Sequence, residues 1–362
     1  MASRVSPRRN VARAGAAARD VIHLVNPLWD PHGGSDWRAV EMYEALRVDR
    51  PVRLWSRFQP ARVFVERYPI ELIRPWLGRW PVSGTFVFIG AYFRIGHWFK
   101  AAFPRRTILI YNTHQPDRLA KVLGRLESWH RTPVEIVYTS PLLRRLCDRP
   151  GPVIESPIDL RRFVPHESAV HATRPFTVGR LSRDIATKHH RDDPEVYHAL
   201  AQAGVRLRLM GAICMHDRLD RAVEVLPAGA QGNADFLHGL DCFVYRTSDR
   251  WLEAFGRVVF EAMACGLPVV CGRRGGYADY IAHGINGFLF DTNEQAVNLI
   301  LRLRDDAALR ERIGRAARQS VEDLYRSRAW RRKLDFFLPS EHDARPARLL
   351  ADALDPTPSE IH

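Results

Sequence analysis

The chain has 362 residues, 46% of them hydrophobic and 26% charged, which is enough apolar material for two cores of ordinary domain size. Its formal net charge is +13 with a pI near 10.0, so phosphates, anionic lipid and nucleic acid all attract it, and charge alone does not choose among them. The five cysteines form no C-x-x-C pair and are odd in number, which reads as reduced core thiols, and no run of about 18 apolar residues offers a membrane-spanning helix.

Residues 1–19 hold five arginines (Arg4, Arg8, Arg9, Arg13 and Arg19) and no acid. They lack an apolar stretch, so they are not a secretory signal; a disordered basic tail is a simpler expectation than an organelle transit peptide. Residues 21–25 read as the first strand. A turn-rich loop with Gly33 and Gly34 follows, then a helix over 37–47 capped by Ser35 or Asp36. Strand, glycine loop and helix make a weak phosphate-binding pattern, and a plain βα turn is the alternative.

Further strands are expected at 52–55 and 86–90. Residues 92–103 are aromatic and basic, and helical spacing puts Ile95, Trp98, Phe99 and Phe103 on one face. That face reads either as a membrane or acceptor surface or as the packed side of a crossover helix; the crossover is favoured, since strands flank it. A strand over 107–111 ends at His114, and ligands of open α/β sheets collect at such strand ends. A strand at 134–139, a short basic helix at 142–146 and a polar linker over 166–174 close the first half.

A second α/β set starts at 176–178 and runs into Gly179-Arg180-Leu181-Ser182, with strands to follow at 205–210 and 242–245. Adjacent His189 and His190 do not face one point, and no other ligand cluster accompanies them, so no metal is expected. A helix is expected over 302–321, an amphipathic one over 330–338, and a flexible tail over 339–362.

The most informative stretch is 251–270, WLEAFGRVVFEAMACGLPVV. Pro268 ends a helix over 256–264, and a buried strand begins at Val269. Glu253 then lies in the loop before the helix, beside unpaired N–H groups and the positive end of the dipole, a natural phosphate site. Gly256 allows a ligand close to the backbone. Glu261 stands eight positions on, roughly 12 Å along the helix, too far to share one bond with Glu253. Such spacing suits a long ligand with hydroxyls at both ends and phosphates between. The plain alternative makes Glu253 a helix cap and Glu261 a solvated face residue.

This stretch resembles the retaining glycosyltransferases of family 4 (glycosyl transferases group 1), which carry a Glu-x7-Glu motif here. The resemblance continues through 269–290, VVCGRRGGYADYIAHGINGFLF, with Asp279 where the family usually has Glu. It implies a GT-B arrangement, two Rossmann-like α/β domains facing across a cleft: 20–165 on the acceptor side, 175–320 for the nucleotide sugar, and 321–338 as a helix crossing back. It implies transfer of a sugar from a nucleotide diphosphate sugar to an acceptor hydroxyl, with retention and with no metal or other cofactor. Arg180 would hold the diphosphate, with Lys188 or Arg183 in the family's lysine role. The backbone over Ala254, Phe255 and Gly256 would meet the phosphates, Glu253 the donor-sugar hydroxyls and Glu261 the ribose diol. His114 would touch the sugar from the other domain, and Gly33 and Gly34 would pack against the diphosphate or the acceptor. The segment 153–165 resembles the family's domain-closing phrase, with Glu155-Ser156-Pro157-Ile158 in place of its usual start.

The expected partners are a nucleotide sugar and a glycan, lipid-linked or small-molecule acceptor, in a cytoplasmic protein with peripheral contact to anionic membrane and no nucleic acid. Two other classes remain. A sugar-nucleotide epimerase of the same fold would turn over its substrate without an acceptor. A basic nucleic-acid or membrane-surface binder would show salt-sensitive binding and no hydrolysis.

Overall fold

The computed structural model describes residues 21–338 apart from 49, 93, 131 and 166–173. The expected tails over 1–19 and 339–362 and all but the last residue of the expected linker lie outside the described residues. The chain divides into two compact units. Among the described residues, unit 1 holds 21–139, Arg144–Glu155 and 331–338; unit 2 holds Ser140–Leu143 and Ser156–Trp330.

Unit 1 is built on strands β1 (Ile22–Val25), β2 (Val52–Ser56), β3 (Ile70–Leu72), β4 (Ser83–Ile89), β5 (Phe103–Tyr111) and β6 (Glu135–Tyr138). All pair in parallel in the order β3-β2-β1-β4-β5-β6. Phe86 to Ile89 and Ile108 to Tyr111 are wholly buried, as strands covered on both faces must be. Helix α1 (Gly34–Leu46) follows β1, α2 (Arg62–Val65) is a single turn, and α3 (Pro116–His130) follows β5; α4 (Pro141–Arg145), after β6, is counted with unit 2 up to Leu143. α1 starts three residues before its expected position, and Gly33 rather than Ser35 or Asp36 is its cap. Both side chains are used elsewhere: Ser35 Oγ accepts from Asn26 Nδ2 at 3.0 Å, and Asp36 faces the Asp30 N–H.

The helix expected over 92–103 does not form. Gly96 at φ +97° breaks it, and only one 3-10 turn, His97–Ala101, remains. Ile95, Trp98 and Phe99 still pack inward, with Phe99 edge-on to Phe86 and Phe88 at 5.2 and 5.0 Å. Phe103 opens β5 and is 72% exposed, so the four residues do not share a face.

Unit 2 repeats the plan with β7 (Thr177–Leu181), β8 (Arg206–Met210), β9 (Glu224–Leu226), β10 (Cys242–Tyr245), β11 (Val269–Gly272) and β12 (Phe288–Phe290). The parallel order is β12-β11-β10-β7-β8-β9, the same winding as in unit 1. Its helices are α5 (Asp193–Gln202), α6 (Asn233–His238), α7 (Arg257–Ala264), α8 (Asn293–Asp305), α9 (Ala307–Arg326) and α10 (Arg328–Asp335). One core gathers α7 and α9 against Phe243 and Val269, and another gathers α5 and α8 against Val178 and Val270. The continuous helix expected over 302–321 is two helices, because the Asp306 side chain accepts the Leu309 N–H at 2.8 Å and starts α9. The last stretch is shorter than expected: α10 ends at Asp335. From Arg331 the chain belongs to unit 1, where Lys333 Nζ meets Glu155 at 2.8 Å and Arg106 donates to the Phe336 carbonyl at 2.8 Å.

Candidate functional site

In unit 2 the strand order turns between β7 and β10, whose chain continues to opposite sides of the sheet. The crevice outside the carboxyl ends of such a pair is where doubly wound sheets bind ligands. Arg180 lies near the end of β7, and Tyr245 ends β10. The loop after β10 brings Glu253 back over them. Its carboxylate accepts from Lys188 Nζ at 2.5 Å and from the Tyr245 hydroxyl at 2.8 Å. Both members of the pair are nearly enclosed, 11% exposed for Lys188 and 13% for Glu253. Burial opposes ionisation of Glu253, but the Lys188 ammonium and the Tyr245 hydroxyl overcome it and hold the carboxyl below its ordinary range. Burial likewise draws Lys188 below the usual lysine value, with Glu253 opposing. The charge on Arg183 acts on both groups, and the ammonium also lies over the Trp251 ring at 5.2 Å.

Glu253 stands before α7, whose cap is Gly256 at φ +83° with no side-chain cap bond. A Cβ there would come within 2.4 Å of the Tyr277 ring, so only glycine fits both the conformation and the contact. Ala254 and Phe255 are buried, and Phe255 stacks on Phe260 at 4.2 Å. The Gly276 N–H donates to the Glu253 carbonyl at 2.8 Å, so the Gly-Gly turn after β11 ties down this loop. The first turn of α7 has no capping side chain and starts four residues after Glu253.

Glu261 is 3% exposed and takes Arg257 Nε at 2.8 Å and Asn233 Nδ2 at 3.0 Å. It is no solvated face residue. Arg257 also donates to the Pro157 carbonyl at 2.7 Å, which connects this carboxylate to the start of unit 2.

Arg180 differs from expectation. It is 1% exposed, its guanidinium donates to Asp193 Oδ2 at 2.9 Å and to the Lys188 carbonyl, and it lies over the Tyr245 ring at 5.1 Å. A group so enclosed does not present its fork to a phosphate; in this structure it holds the backbone that carries Lys188. Asp193 is shared, taking Arg246 Nε at 2.6 Å as well. His189 is buried against the Gly211 carbonyl at 2.9 Å.

The other expected residues belong to unit 1. Asn26 Nδ2 ties Ser35 and the Ile89 carbonyl together, which sets Gly33 and Gly34 at the carboxyl ends of β1 and β4, where that sheet's order turns. Burial raises Asp36, in the first turn of α1, to about 7. His114 follows β5 by three residues, and its Nδ1 is enclosed without a hydrogen-bond partner among the described residues. Sequence reasoning missed Tyr245, Asp193, Arg246 and Arg257. Tyr245 carried a signal as the polar end of an apolar strand, and Arg257 carried one as the i,i+4 partner of Glu261; Asp193 and Arg246 carried none, since Asp193 meets Arg180 from 13 positions away and Arg246 meets Asp193 from 53.

Residues 218–320 match the family model of Glycosyl transferases group 1. A stretch of 92 residues is 35% identical to spore coat protein SA of Bacillus subtilis, covering 25% of this chain and 24% of that protein. Another of 105 residues is 34% identical to N-acetyl-alpha-D-glucosaminyl L-malate synthase of Bacillus anthracis, covering 28% and 27%. The chain thus spans about a quarter of the length of these curated relatives. Among solved structures, Anabaena HepE in complex with UDP-glucose superposes with a TM-score of 0.66 at 18% identity, covering 88% of this chain and 98% of that one. Sucrose-phosphate synthase from Thermosynechococcus elongatus does so with 0.64 at 18%, covering 85% and 95%. These likenesses assign the two parallel sheets to the GT-B fold.

Proposed function

We propose that this chain, a GT-B protein whose residues 218–320 are of the glycosyl transferases group 1 family, transfers a sugar from a nucleoside diphosphate sugar to an acceptor hydroxyl with retention. The observation that carries the reading is the enclosed Glu253–Lys188 pair beside the uncapped start of α7. A departing diphosphate needs positive charge held in place in a water-poor site. Lys188 has three donors and gives one to Glu253, which leaves two for phosphate oxygens. Arg183 and the first-turn N–H groups of α7 add to it, and Arg180 positions Lys188 through its carbonyl. This supply of charge is why no divalent metal is required in the proposal.

Glu253 keeps lone pairs for donor-sugar hydroxyls, and its charge favours the positive charge that grows on the ring. Glu261 takes the ribose diol. Neither carboxylate of the switch point is a free nucleophile: Glu253 is bound to Lys188 and Tyr245, and Asp193 lies between two arginines. The reading therefore uses front-face departure, in which the leaving phosphate takes the acceptor proton as the acceptor oxygen bonds to the anomeric carbon. The acceptor belongs to glycan, polysaccharide or glycolipid synthesis. No helix among the described residues is long and apolar enough to cross a membrane, which is compatible with peripheral contact for a lipid-linked acceptor.

Calorimetric titration with UDP, GDP and ADP, each with magnesium and with EDTA, tests this. One nucleotide should bind equally in both, and at 100 times its dissociation constant it should stabilise the fold by about 2.7 kcal/mol. Failure of all three to bind overturns the function, and a strict magnesium requirement overturns the phosphate site as drawn.

A further inference from the structure

Among the described residues of unit 1, several arginines are spent on carboxylates: Arg47 on Glu44, Arg53 on Glu71, Arg62 on Glu66, Arg106 on Glu135 and Arg149 on Glu127. Three are not. Arg57, Arg94 and Arg125 line one cavity of about 510 Å³ together with Gly96, His97 and Trp129, and none of these lining residues is acidic. That volume is within the range of small-molecule sites. Like charges converge there at a cost in repulsion, which a bound anion relieves.

The cavity is assembled from separate elements. Arg57 comes from the loop after β2, Arg94 to His97 from the segment after β4, and Arg125 and Trp129 from α3. The aromatic, basic stretch that fails to form a helix builds one wall. Its Gly96 leaves room for Arg57, whose Cζ lies 3.1 Å from where a Cβ would stand, and Arg57 donates to the Arg94 carbonyl at 3.0 Å. Trp129 is set by edge contacts to His97 at 6.0 Å and by Phe99 at 6.4 Å. Arginine forks match phosphate oxygens in pairs, and an indole offers a flat apolar surface to the C–H face of a polyol ring.

We propose that this cavity binds the phosphate ester of a sugar or other polyol, the phosphate on Arg57, Arg94 and Arg125 and the ring against Trp129. The chemistry is shared by a soluble sugar phosphate and a phospholipid headgroup. The binding claim concerns unit 1 alone; naming the ester as the acceptor rests on the transferase reading.

The test uses the full chain and two probes, glucose 6-phosphate by calorimetry and phosphatidylglycerol vesicles, against phosphatidylcholine, by flotation. Wild type should bind one of them. Arg94→Ala/Arg125→Ala should weaken it by about tenfold or more, and Arg94→Lys/Arg125→Lys, which keeps charge but loses the forks, should weaken it less. Trp129→Ala should weaken glucose 6-phosphate but not inorganic phosphate. A response to the sugar phosphate alone identifies a soluble ester, and a response to the vesicles alone a headgroup. Binding of neither probe, or equal affinity in the alanine variant, overturns the proposal. Affinity for the nucleotide that wild type binds should be unchanged in every variant. A wild type that binds glucose 6-phosphate but no nucleotide would remove the donor reading and leave this one standing.

Discussion

Replacing Glu253 with Gln keeps the shape of the side chain and removes its charge. From sequence alone, a helix cap at a loop would tolerate the change and fold normally. The structure alters that expectation, since the carboxylate is the counter-charge of an enclosed Lys188 at 2.5 Å, with both side chains under 15% exposed. Stranding one charge of such a pair costs about 3–5 kcal/mol. The Gln carbonyl can still accept a hydrogen bond, and burial already lowers the Lys188 pKa, so the ammonium can shed its proton. Both effects favour the low end, ~3 kcal/mol, or a fall in unfolding temperature of roughly 6–12 °C. Turnover should fall further, by about two orders of magnitude, as for a lost electrostatic stabiliser. The assays are thermal unfolding and nucleotide release from whichever nucleotide sugar binds, on Glu253→Gln and on Glu253→Gln/Lys188→Met. The double variant should regain stability, since neither charge is left alone, but not turnover. An unchanged unfolding temperature in Glu253→Gln would refute the buried pair. Wild-type release by the single variant would remove Glu253 from the reaction.

Glu261→Gln should weaken nucleoside diphosphate binding by ~1.5–3 kcal/mol, the value of a hydrogen bond to a charged group; full affinity in calorimetry would leave Glu261 as no more than the partner of Arg257. Gly256→Ala should destabilise the chain by about 1–3 kcal/mol, because its Cβ would meet Tyr277 at 2.4 Å with φ at +83°, and a wild-type denaturation midpoint would contradict that geometry. Burial lowers His23 and His189 from 6.5 to about 4, aided at His189 by Arg180. Between those values the unfolded chain binds more protons than the folded one. Stability is therefore whole above about pH 6.5 and falls by up to ~1.4 kcal/mol per pH unit for each histidine as pH drops toward about 4. Urea midpoints across that window should be flatter in His23→Gln and His189→Gln, and an unchanged slope would refute burial of the neutral rings.

Strands buried on both faces read as plain apolar runs, so β4, β5, β10 and β11 were legible near their observed positions. β3, β9 and β12, three residues each, are too short to carry a pattern and exist because a longer neighbour supplies their hydrogen bonds. Helical spacing misled at 92–103, where sheet packing and Gly96 outweighed periodicity. A side-chain cap at Asp306 divided what the arginine pattern joined.

The sequence by itself determined the alternation of strands and helices, the loop position of Glu253 and the glycine that starts α7, since these depend on neighbours a few positions away. Tertiary structure alone decided that Lys188 Nζ reaches Glu253 from 65 positions away, that Glu261 is buried against Arg257 and Asn233, and that Arg180 is enclosed by Asp193. It also decided that three arginines from three elements meet at one acid-free cavity. Burial and charge pairing are properties of a site's full surroundings, and a parallel sheet brings those surroundings together from strands far apart in the chain.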